Sequence, residues 1–530
     1  MEIYQTEQLT GQPFSFSRLY MHPGPISGWD TPGERKRICI IGAGISGLAA
    51  AYELQSCDHD VTIYEASERA GGRIKTHSFR NGTYGELGAM RIPANHAITL
   101  HYIDKFGLNK RAFVNHNPNA FSLVNGKRVR LSDWRTLAQE YELRRTEYLD
   151  PYILYENCMK EAWAFLSADE KWSIFTSHLD SLRLAAYDKR SLRQELEKKL
   201  SEDAIRYIGR ATGMLQYQYA SFLETIIDYF GLFRVDQYEI EGGMEQITNA
   251  FCANIRSQIN YAHKVKAITV TQHGVHILGE YQRNDFSDHF DYAICCIPAP
   301  QTKLIQFTPE LSARKRDSLD VHYANSAKTL FSCNSRPWEL NEGVYGGGSF
   351  FDTNTQSCWY PSDNASPLAT SGLLAGFTGD DFMNYSKAPV AFSARSAESS
   401  HEPGCLTASY TWEENATRFG SMDSADRLHL IQSDIRRVHH HIDSAIDEVA
   451  EINWGMQECP GFGAFAYFSP GEHGRRQKGL CEPHPLESPR VFFAGEHLSI
   501  SHAWIQGAIQ TGLAAAYSIV AEKVVELETN

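Results

Sequence analysis

Three glycines and one acidic residue near the N-terminus have the types and spacing of a phosphate-binding turn. Gly42, Gly44 and Gly47 follow the G-x-G-x-x-G pattern, and Glu65 stands 18 residues after Gly47. The first glycine permits a tight turn, the second lets the backbone approach a pyrophosphate, and the third lets a helix pack on a strand. The acidic side chain can accept a hydrogen bond from a ribose hydroxyl. The pattern therefore predicts a dinucleotide site.

The segments around these residues predict the elements that position them. Arg37–Ile41 is a short apolar run typical of a buried parallel strand, Leu48–Leu54 is an alanine-rich helical segment, and Val61–Tyr64 is a second apolar run. A helix that begins after the glycines directs free N–H groups and positive potential at the phosphates. We interpret this stretch as the first strand–helix–strand unit of a Rossmann-type fold.

The rest of the chain predicts that this fold is interrupted. Further strands are predicted at residues 264–270, 276–278 and 292–297, and the closing strand is predicted only at residues 491–494, before a helix at 504–525. Residues 130–235 have helical character, with Phe222, Ile226, Tyr229 and Phe233 forming an apolar stripe. The polar, Ser- and Ala-rich residues 386–408 predict a long surface loop.

Composition excludes several classes of function. The 530 residues suggest two or three domains, and a net charge of −14 disfavours nucleic acid and anionic membranes as partners. No apolar run is long enough to span a bilayer, and residues 1–16 lack the pattern of a signal peptide. The eleven cysteines include no C-x-x-C pair, which favours a reducing, cytoplasmic location.

Four separated strings carry a family resemblance. They are EASERAGGR at residues 65–73, ELGAMR at 86–91, HYANSAKTLFSC around Lys328, and AGEHLSISHAWIQGAIQTG from Ala494. Over about residues 36–525 the chain resembles the flavin-containing amine oxidase superfamily and, within it, the L-amino acid oxidases. The resemblance implies a tightly bound FAD.

The resemblance also implies the fold class. We expect an α/β protein in which a Rossmann-like FAD-binding domain is interleaved with a mixed α+β substrate domain and an inserted helical domain. The expected ranges are 36–91, 236–310 and 471–530 for the FAD-binding domain, 1–35, 92–129 and 311–470 for the substrate domain, and 130–235 for the helical domain.

Several residues are implied to hold the cofactor. Arg73 is placed to pair with a flavin phosphate through its planar fork, Val265 to offer its backbone to the adenine, and Glu496 to bind the ribityl chain. On sequence alone Arg73 could be a surface arginine and Glu496 a capping residue. The full predicted set is Gly42, Gly44, Ser46, Gly47, Glu65, Ala66, Gly72, Arg73, Met90, Arg91, Val265, Trp454, Gly495, Glu496, Trp504 and Ile505.

Arg91 is the most discriminating residue for the substrate. In the amino acid oxidases the arginine of this Met-Arg pair binds the substrate carboxylate, and bidentate carboxylate recognition suits a guanidinium. The alternative is a structural salt bridge. Tyr360 matches the tyrosine that gives the carboxylate a second hydrogen bond, although Trp359 or a core tyrosine could confuse the match. Ala503 and Trp504 are expected to wall the substrate, and a core tryptophan is the alternative for the latter.

Lys328 resembles the lysine that holds a water beside flavin N5. A lysine inside an apolar strand is rare without a role, and a strand-end lysine that reaches solvent is the alternative. The covalent flavoenzymes of this superfamily carry a cysteine where this chain has Gly463, and Cys459 is four residues early. We therefore predict non-covalent FAD.

Other polar groups predict no site. His439, His440 and His441 are consecutive, so on a helix they cannot converge on one metal ion, and no metal is predicted. Glu224 and Asp228, four residues apart on a predicted helix, could suggest a site for a basic side chain. They lie away from the apolar stripe, so we interpret them as a solvated face.

Together these features predict oxidation of L-α-amino acids with large or aromatic side chains, with dioxygen as second substrate, giving 2-oxo acids, ammonia and hydrogen peroxide. We also expect a homo-oligomer. The alternatives are an amino acid monooxygenase that yields an amide, a dehydrogenase that reduces a quinone or dye, and a flavin-binding protein without activity. The presence of both Arg91 and Lys328 disfavours the last.

Overall fold

A computed structural model describes residues 35–175, 179, 181–233, 236–367, 392–456 and 461–521. The predicted lead-in before residue 35, Cys459 and the end of the predicted C-terminal helix lie outside these residues. Within the described ranges, the fold combines helices with seven sheets of two to seven strands.

The predicted Rossmann unit is a five-stranded parallel sheet. In sheet order its strands are Ile259–Asn260, Asp60–Tyr64, Arg37–Ile41, Tyr292–Cys295 and Val491–Phe493. The apolar runs form these strands because both faces of the sheet are covered. Ile38 and Ile40 face a helical layer, whereas Cys39 and Ile41 face a second sheet.

Two helices from opposite ends of the chain cover one face of the parallel sheet. Ile45–Ser56 and Ile505–Val520 are almost entirely buried and share one apolar core. Their approach requires small residues, because a Cβ on Gly512 would lie 2.3 Å from the Ser46 carbonyl oxygen. The alanine-rich sequence of both helices meets that requirement.

The other face packs on a four-stranded sheet, formed by the strands Asn284–Phe290, Gly274–Tyr281, His263–Thr271 and Gln306–Thr308. These strands confirm the runs predicted at residues 264–270 and 276–278. Short two- and three-stranded sheets complete this half: Thr76–Ser78 with Tyr84–Glu86, Ile92–Pro93 with Gln237–Ile240 and Lys110–Phe113, and His322–Ala324 with Phe465–Tyr467.

A mixed seven-stranded sheet carries most of the substrate side of the molecule. Its order is Ile446–Asn453, Ser326–Cys333, Gly404–Trp412, Ser357–Trp359, Gly348–Phe351, Phe121–Val124 and Lys127–Arg130. The surface loop predicted for residues 386–408 is wrong at its end, because Gly404–Trp412 is an inner strand of this sheet. Ala365–Pro367 pairs separately with Phe392–Ala394.

The region predicted to be helical is a compact bundle with its own core. Phe222, Ile226 and Tyr229 of the predicted stripe are buried there, and Ser221 caps their helix by accepting from the Leu223 N–H. The helices are Trp134–Ala138, Pro151–Ala164, Ala168–Phe175, Leu182–Asp188, Leu192–Glu197, Glu202–Thr212, Phe222–Ile226 and the π-helix Ile227–Phe233, with a 3-10 turn at Arg145–Glu147.

The remaining helices lie around the sheets. They are Ala97–Lys105, Glu245–Asn254, Ala299–Thr302, Ala313–Ser318, Pro337–Leu340, Glu413–Gly420, Ser424–Val438 and His473–Cys481, with 3-10 turns at Glu398–His401 and Glu496–Leu498. Within the described ranges, no helix combines the length and the apolar character needed to cross a bilayer. The domain boundaries given above stay a prediction.

Candidate active site

A cavity of about 700 Å³ extends from the glycine turn to the inner strands of the seven-stranded sheet. Most of the residues predicted to hold a cofactor line it. They are Gly42, Gly44, Ser46, Glu65, Ala66, Gly72, Arg73, Val265, Trp454, Gly495, Glu496, Trp504 and Ile505. Lys328 and Ala503 also line it, whereas the predicted residues Gly47, Met90, Arg91 and Tyr360 do not.

The three glycines have the separate roles that their spacing predicts. Gly42 has a φ of +104°, which favours glycine in this turn. A Cβ on Gly47 would lie 2.1 Å from the Gly42 carbonyl oxygen, so the helix packs on the strand only because no side chain is present. A Cβ on Gly44 would meet nothing within 4 Å. Gly44 therefore faces open space.

Glu65 ends the second strand beside this turn. Its carboxylate accepts hydrogen bonds from the N–H of Ala43 at 2.7 Å and from the N–H of Ser67 at 2.9 Å. The adjacent helix begins at Ile45 without a side-chain cap, and Ser46 lies in its first turn. Uncapped N–H groups and the positive end of the helix therefore border the cavity.

Arg73 and Glu496 form an ion pair across the cavity wall, at 2.7 Å between Nη1 and Oε1. Arg73 also donates to the Ala464 carbonyl, and Glu496 accepts from the N–H groups of Ala466 and Ala503. The pair thus joins the first Rossmann segment to the last one. At the opposite end of the cavity, Val265 lines the wall at a β-bulge.

Lys328 lies in the middle of the buried strand Ser326–Cys333, and only 3% of its surface is exposed. Its Nζ donates to the carbonyls of Glu86 at 3.1 Å and Gly88 at 2.6 Å and contacts Met90 Sδ at 3.6 Å. Burial lowers the pKa of this amine well below its usual range, and burial raises the pKa of the Glu86 carboxyl. The strand-end alternative is therefore wrong.

Arg91 is held among aromatic rings at the edge of the cavity. Its Nη1 donates to Asn115 Oδ1 at 2.7 Å, and its Cζ lies 5.4 Å from the Trp359 ring and 6.0 Å from the Trp504 ring. Burial lowers the pKa of Arg91, whereas its electrostatic interactions with Tyr410, Asp228 and Tyr217 act to raise that pKa. Met90 lies away from the main cavity and lines a smaller one of about 200 Å³.

The structure places Tyr360 away from Arg91 and the main cavity. Its buried hydroxyl is hydrogen-bonded to Ser349 Oγ at 2.7 Å and to His439 Nε2 at 2.8 Å. Tyr410, which the sequence analysis did not select, lines the cavity, and its ring centre lies 4.7 Å from Lys328 Nζ. Side chains of neighbouring residues in an extended segment point to opposite sides. Trp359 lies on the side of Arg91, so Tyr360, the next residue, points away from Arg91.

Two tryptophans close the cavity near Lys328. Trp454 donates its Nε1–H to the Leu87 carbonyl at 3.0 Å, and Trp504 donates its Nε1–H to Asp228 Oδ1 at 3.1 Å. Ala503 precedes Trp504 with a φ of +69°, and its N–H donates to Glu496 Oε2. The segment before the helix Ile505–Val520 is therefore fixed by carboxylates on two sides.

The solvated face predicted for Glu224 and Asp228 is wrong. Glu224 is buried and accepts from His502 Nδ1 at 2.9 Å, with His473 Nε2 at 3.1 Å from its other oxygen. Burial would raise the pKa of Glu224, but the two histidines lower it to about 2. Asp228 accepts from Trp504 and from the hydroxyl of Tyr217. The helical region thus contributes two acids that bind His502 and Trp504, the residues on either side of the cavity residue Ala503.

The cavity residues fit the cofactor that the sequence predicts. Open space at Gly44, an uncapped helix N-terminus and an arginine suit a pyrophosphate, because each supplies N–H donors or positive charge without obstruction. Glu65 follows the second strand, at the position from which an acidic residue of this fold accepts a hydrogen bond from a ribose hydroxyl. The fold and the cavity therefore fit the class of Rossmann-type dinucleotide-binding proteins.

Comparison with known proteins narrows this class. The chain belongs to the flavin-containing amine oxidoreductase family, whose sequence profile matches residues 45–520. It is 29% identical over 509 residues to an L-amino-acid oxidase of Vipera ammodytes ammodytes, with 93% of this chain and 94% of that protein covered. It is 30% identical over 493 residues to an L-amino-acid oxidase of Siganus canaliculatus, with 91% and 85% covered.

Solved structures agree with the fold. A putrescine oxidase bound to putrescine superposes with a TM-score of 0.67 at 18% identity, over 92% of this chain and 100% of that chain. Cyclohexylamine oxidase from Brevibacterium oxydans IH-35A gives a TM-score of 0.68 at 18% identity, over 92% and 99%. The predicted family and the mixed helix-and-sheet architecture are confirmed.

Proposed function

We propose that this protein catalyses FAD-dependent oxidative deamination of L-α-amino acids. The observation that carries the proposal is the position of Arg91, whose Cζ lies 5.4 Å from the Trp359 ring and 6.0 Å from the ring of Trp504, which lines the cavity together with Lys328 and Tyr410. A cation in this place can bind a carboxylate, which simple amines lack. The relatives named L-amino-acid oxidase support the same substrate class.

FAD would be held by the turn at Gly42 and Gly44, by Glu65 and by the Arg73–Glu496 pair. When bound, it supplies the chemistry that no side chain offers, accepting the hydride from the substrate Cα and passing two electrons to dioxygen. The surroundings of Gly463 support non-covalent binding. A Cβ at this position would lie 2.7 Å from Tyr323 Cβ, so there is no room for a cysteine side chain.

Arg91 and Tyr410 orient the substrate in this proposal. Arg91 donates to the carboxylate through its planar fork, and the Tyr410 hydroxyl gives a further hydrogen bond in the role first predicted for Tyr360. With the carboxylate fixed and Trp504 as a wall, only one enantiomer presents its Cα–H to the cofactor. Such orientation lowers the entropic part of the barrier.

Lys328 is proposed to hold the water that completes the reaction. Burial keeps the pKa of its amine low, so Nζ can give up and regain a proton near neutral pH. The products balance as one 2-oxo acid, one ammonium and one hydrogen peroxide from one amino acid, one dioxygen and one water. No strong protein base is required, because the neutral substrate amine assists loss of the hydride.

The predicted preference for aromatic side chains has lost part of its basis. Tyr207, Phe222, Tyr229 and Phe230 pack in the core of the helical bundle. Tyr217 instead contacts Asp228 and, at 6.2 Å between ring centroids, Trp412. We keep acceptance of large side chains as part of the proposal.

Arg91→Met tests the proposal, with Arg418→Met as the matched control on an exposed helix. We expect Arg91→Met to retain flavin and to raise KM for L-amino acids by about 10- to 100-fold, the value of a charge-assisted bidentate pair. Arg418 is exposed and pairs with exposed Glu414 on the same helix, so its loss should change little. Equal kinetics in wild type and Arg91→Met would overturn the carboxylate role.

Product analysis separates the alternative reactions. Hydrogen peroxide, ammonia and 2-oxo acid in equal amounts support the oxidase. An amide with carbon dioxide indicates the monooxygenase, and flavin reduction by L-amino acids with dye but not dioxygen as acceptor indicates the dehydrogenase. If no L-amino acid bleaches the flavin under nitrogen, the proposed function is wrong.

A further inference from the structure

A second cavity, of about 200 Å³, borders the same backbone segment as the main one, residues 86–90. Gly88 and Ala89 line the main cavity, whereas Glu86 and Met90 line this second space, which we call the small cavity. A space of this volume holds several water molecules where its wall is polar. The polar side chains of the wall are those of Tyr84, Glu86, Arg111, Glu239 and Asp363.

The small cavity extends towards the protein surface. Its wall includes exposed Gly82 and also Asp363, whose side chain is 31% exposed. Lys328, by contrast, is buried and lines the main cavity. The small cavity therefore gives water an approach to Glu86 that cofactor and substrate in the main cavity would leave open.

Glu86 differs from the other carboxylates of this wall. It accepts hydrogen bonds from two neutral donors, Thr76 Oγ1 at 3.0 Å and the Met244 N–H at 2.8 Å. The cation that favours its charge is Lys328. The other carboxylates are held in direct salt bridges, Glu239 with Arg111 and Asp363 with Arg336.

Lys328 and Glu86 are joined through a short stretch of backbone, because Lys328 Nζ donates to the carbonyls of Glu86 and Gly88. Burial disfavours both charges, since it raises the pKa of Glu86 and lowers the pKa of Lys328. Against burial, the Glu86 carboxylate raises the pKa of Lys328, and the Lys328 cation lowers the pKa of Glu86. Each group is therefore more readily charged when the other is charged.

The other charged and titratable groups around the pair favour its neutral form or act through a ring. Glu239 adds to burial in raising the pKa of Glu86, and Arg91 adds to burial in lowering the pKa of Lys328. The Tyr410 ring, 4.7 Å from Nζ, favours the ammonium. The groups that face Glu86 across the small cavity are Tyr84, Arg111, Asp363 and Cys405.

We propose that Glu86 compensates the charge of Lys328, releasing a proton to water in the small cavity when Lys328 is an ammonium and taking one up when Lys328 is a neutral amine. Glu86 is thus a positioning residue that acts through Lys328. This inference rests on the proposed function, in which Nζ gives up and regains a proton.

The protons and electrons of this step balance. Dioxygen takes two electrons and one proton from the reduced flavin and a second proton from Nζ, which gives hydrogen peroxide. Glu86 then takes one proton from water in the small cavity. When Nζ regains a proton from water in the main cavity, Glu86 returns its own proton to the small cavity. The substrate ammonium, which loses one proton before hydride transfer, restores the proton that the peroxide removed.

Glu86→Gln tests the inference, with Asp363→Asn as the matched control in the same wall. The amide keeps hydrogen-bonding groups for Thr76 and Met244 and removes the charge. The pKa of Lys328 should then fall, so we expect reoxidation in stopped flow to be about tenfold slower than in the wild type at about pH 8 and to recover in mildly acidic solution. Asp363→Asn should keep the pH profile of the wild type.

A structural role of Glu86 would give a different result. It would slow reoxidation in Glu86→Gln by the same factor at every pH, and that outcome would overturn the inference. An unchanged rate in Glu86→Gln at every pH would overturn it as well.

Infrared titration of the oxidised, FAD-loaded protein measures the coupling without catalysis. In the wild type we expect a carboxyl band that titrates above the ordinary range of glutamate. In Lys328→Met, which keeps Glu86, this band should titrate at still higher pH, because the cation that favours the carboxylate is lost. The comparison stands even where Glu86→Gln does not fold. A band that titrates at the same pH in both proteins would overturn the inference.

Failure of this inference differs from failure of the proposed function. If L-amino acids bleach the flavin under nitrogen and Glu86→Gln keeps the pH profile of the wild type, the function stands and the inference is wrong. If no L-amino acid bleaches the flavin, the function is wrong and the inference falls with it.

Discussion

Lys328 and Tyr410 lie opposite each other on adjacent antiparallel strands, with Lys328 Nζ 4.7 Å from the centre of the Tyr410 ring. This pairing brings a buried amine and a phenol to one wall of the cavity. The pair is possible because Ser326–Cys333 and Gly404–Trp412 are neighbours in the seven-stranded sheet. Tyr410 also lies close enough to Arg91 to favour its charge electrostatically.

Tyr410→Phe should raise KM for L-amino acids by about tenfold with a smaller effect on kcat, because one hydrogen bond to the substrate carboxylate is lost. The matched control is Tyr360→Phe. Its hydroxyl is bonded to Ser349 and His439, so we expect a lower Tm and an unchanged KM. Steady-state kinetics and thermal unfolding measure both. The reverse pattern would restore the role first predicted for Tyr360.

Lys328→Met should slow reoxidation of the reduced flavin by about 100-fold and slow its reduction by much less, since Nζ is proposed to act on water and dioxygen. Stopped-flow absorbance measures the two half-reactions separately.

Lys315→Met provides the control for loss of a buried lysine. Lys315 is 2% exposed, donates to the carbonyls of Leu480 and Glu482 and does not line the cavity. Its variant should lose stability and keep both rates. Equal slowing of the two half-reactions in Lys328→Met would argue against the proposed role.

Gly44→Ala should fold normally and bind less flavin. Its φ of −70° suits alanine, and the added methyl group would enter open space that a pyrophosphate needs. Gly47→Ala is the contrasting variant, because its Cβ would meet the Gly42 carbonyl oxygen and should disturb folding itself. Flavin-to-protein absorbance ratios and the Tm of the apoprotein test the pair. Full flavin content in Gly44→Ala would contradict the assigned cradle.

Glu224→Gln should lower the Tm by several degrees at neutral pH. The folded-state pKa of Glu224 is about 2 against an ordinary 4.5. Its stabilisation is therefore complete above about pH 4.5 and is lost as pH falls towards 2. Burial alone would lower the pKa of His502, but the Glu224 carboxylate raises the pKa of this histidine overall. The stabilisation that the charged His502 contributes is complete below the ordinary histidine pKa and is lost as pH rises through the folded-state pKa of His502.

The Tm difference between wild type and Glu224→Gln should thus be largest in mildly acidic solution. Thermal unfolding across the acidic range measures it. Glu197→Gln serves as the control, because Glu197 is half exposed and its salt bridge is the surface pair with Arg193. A difference that grows steadily as pH falls below about 4 would contradict the assigned charge of Glu224.

Local sequence patterns predicted the elements that border the cavity. The apolar runs at Arg37–Ile41 and Val491–Phe493 are strands because a parallel sheet covered on both faces needs continuous apolar sequence. The glycine spacing was sufficient to predict the turn, because the requirement for glycine is set locally, by the positive φ of Gly42 and by the close packing at Gly47. Lys328 was found because a charged residue inside an apolar strand is conspicuous.

Long-range partners could not be predicted in the same way. Glu224 and Asp228 meet His502 and Trp504, which stand 278 and 276 residues further along the chain. A carboxylate beside an apolar stripe has the same local sequence whether water or a distant histidine satisfies it. Tyr410 was not predicted because its strand, Gly404–Trp412, is rich in small and hydroxyl-bearing residues, which do not form the continuous apolar run that indicates an inner strand.

The packing of Ile505–Val520 against Ile45–Ser56 affects how this chain is made. The helix Ile45–Ser56 is synthesised long before the helix Ile505–Val520, which completes the surface that it buries. The chain must therefore be translated as far as Val520 before the glycine turn gains its final support. Throughout that interval the nascent chain exposes the alanine- and leucine-rich surface of Ile45–Ser56, to which chaperones can bind during translation.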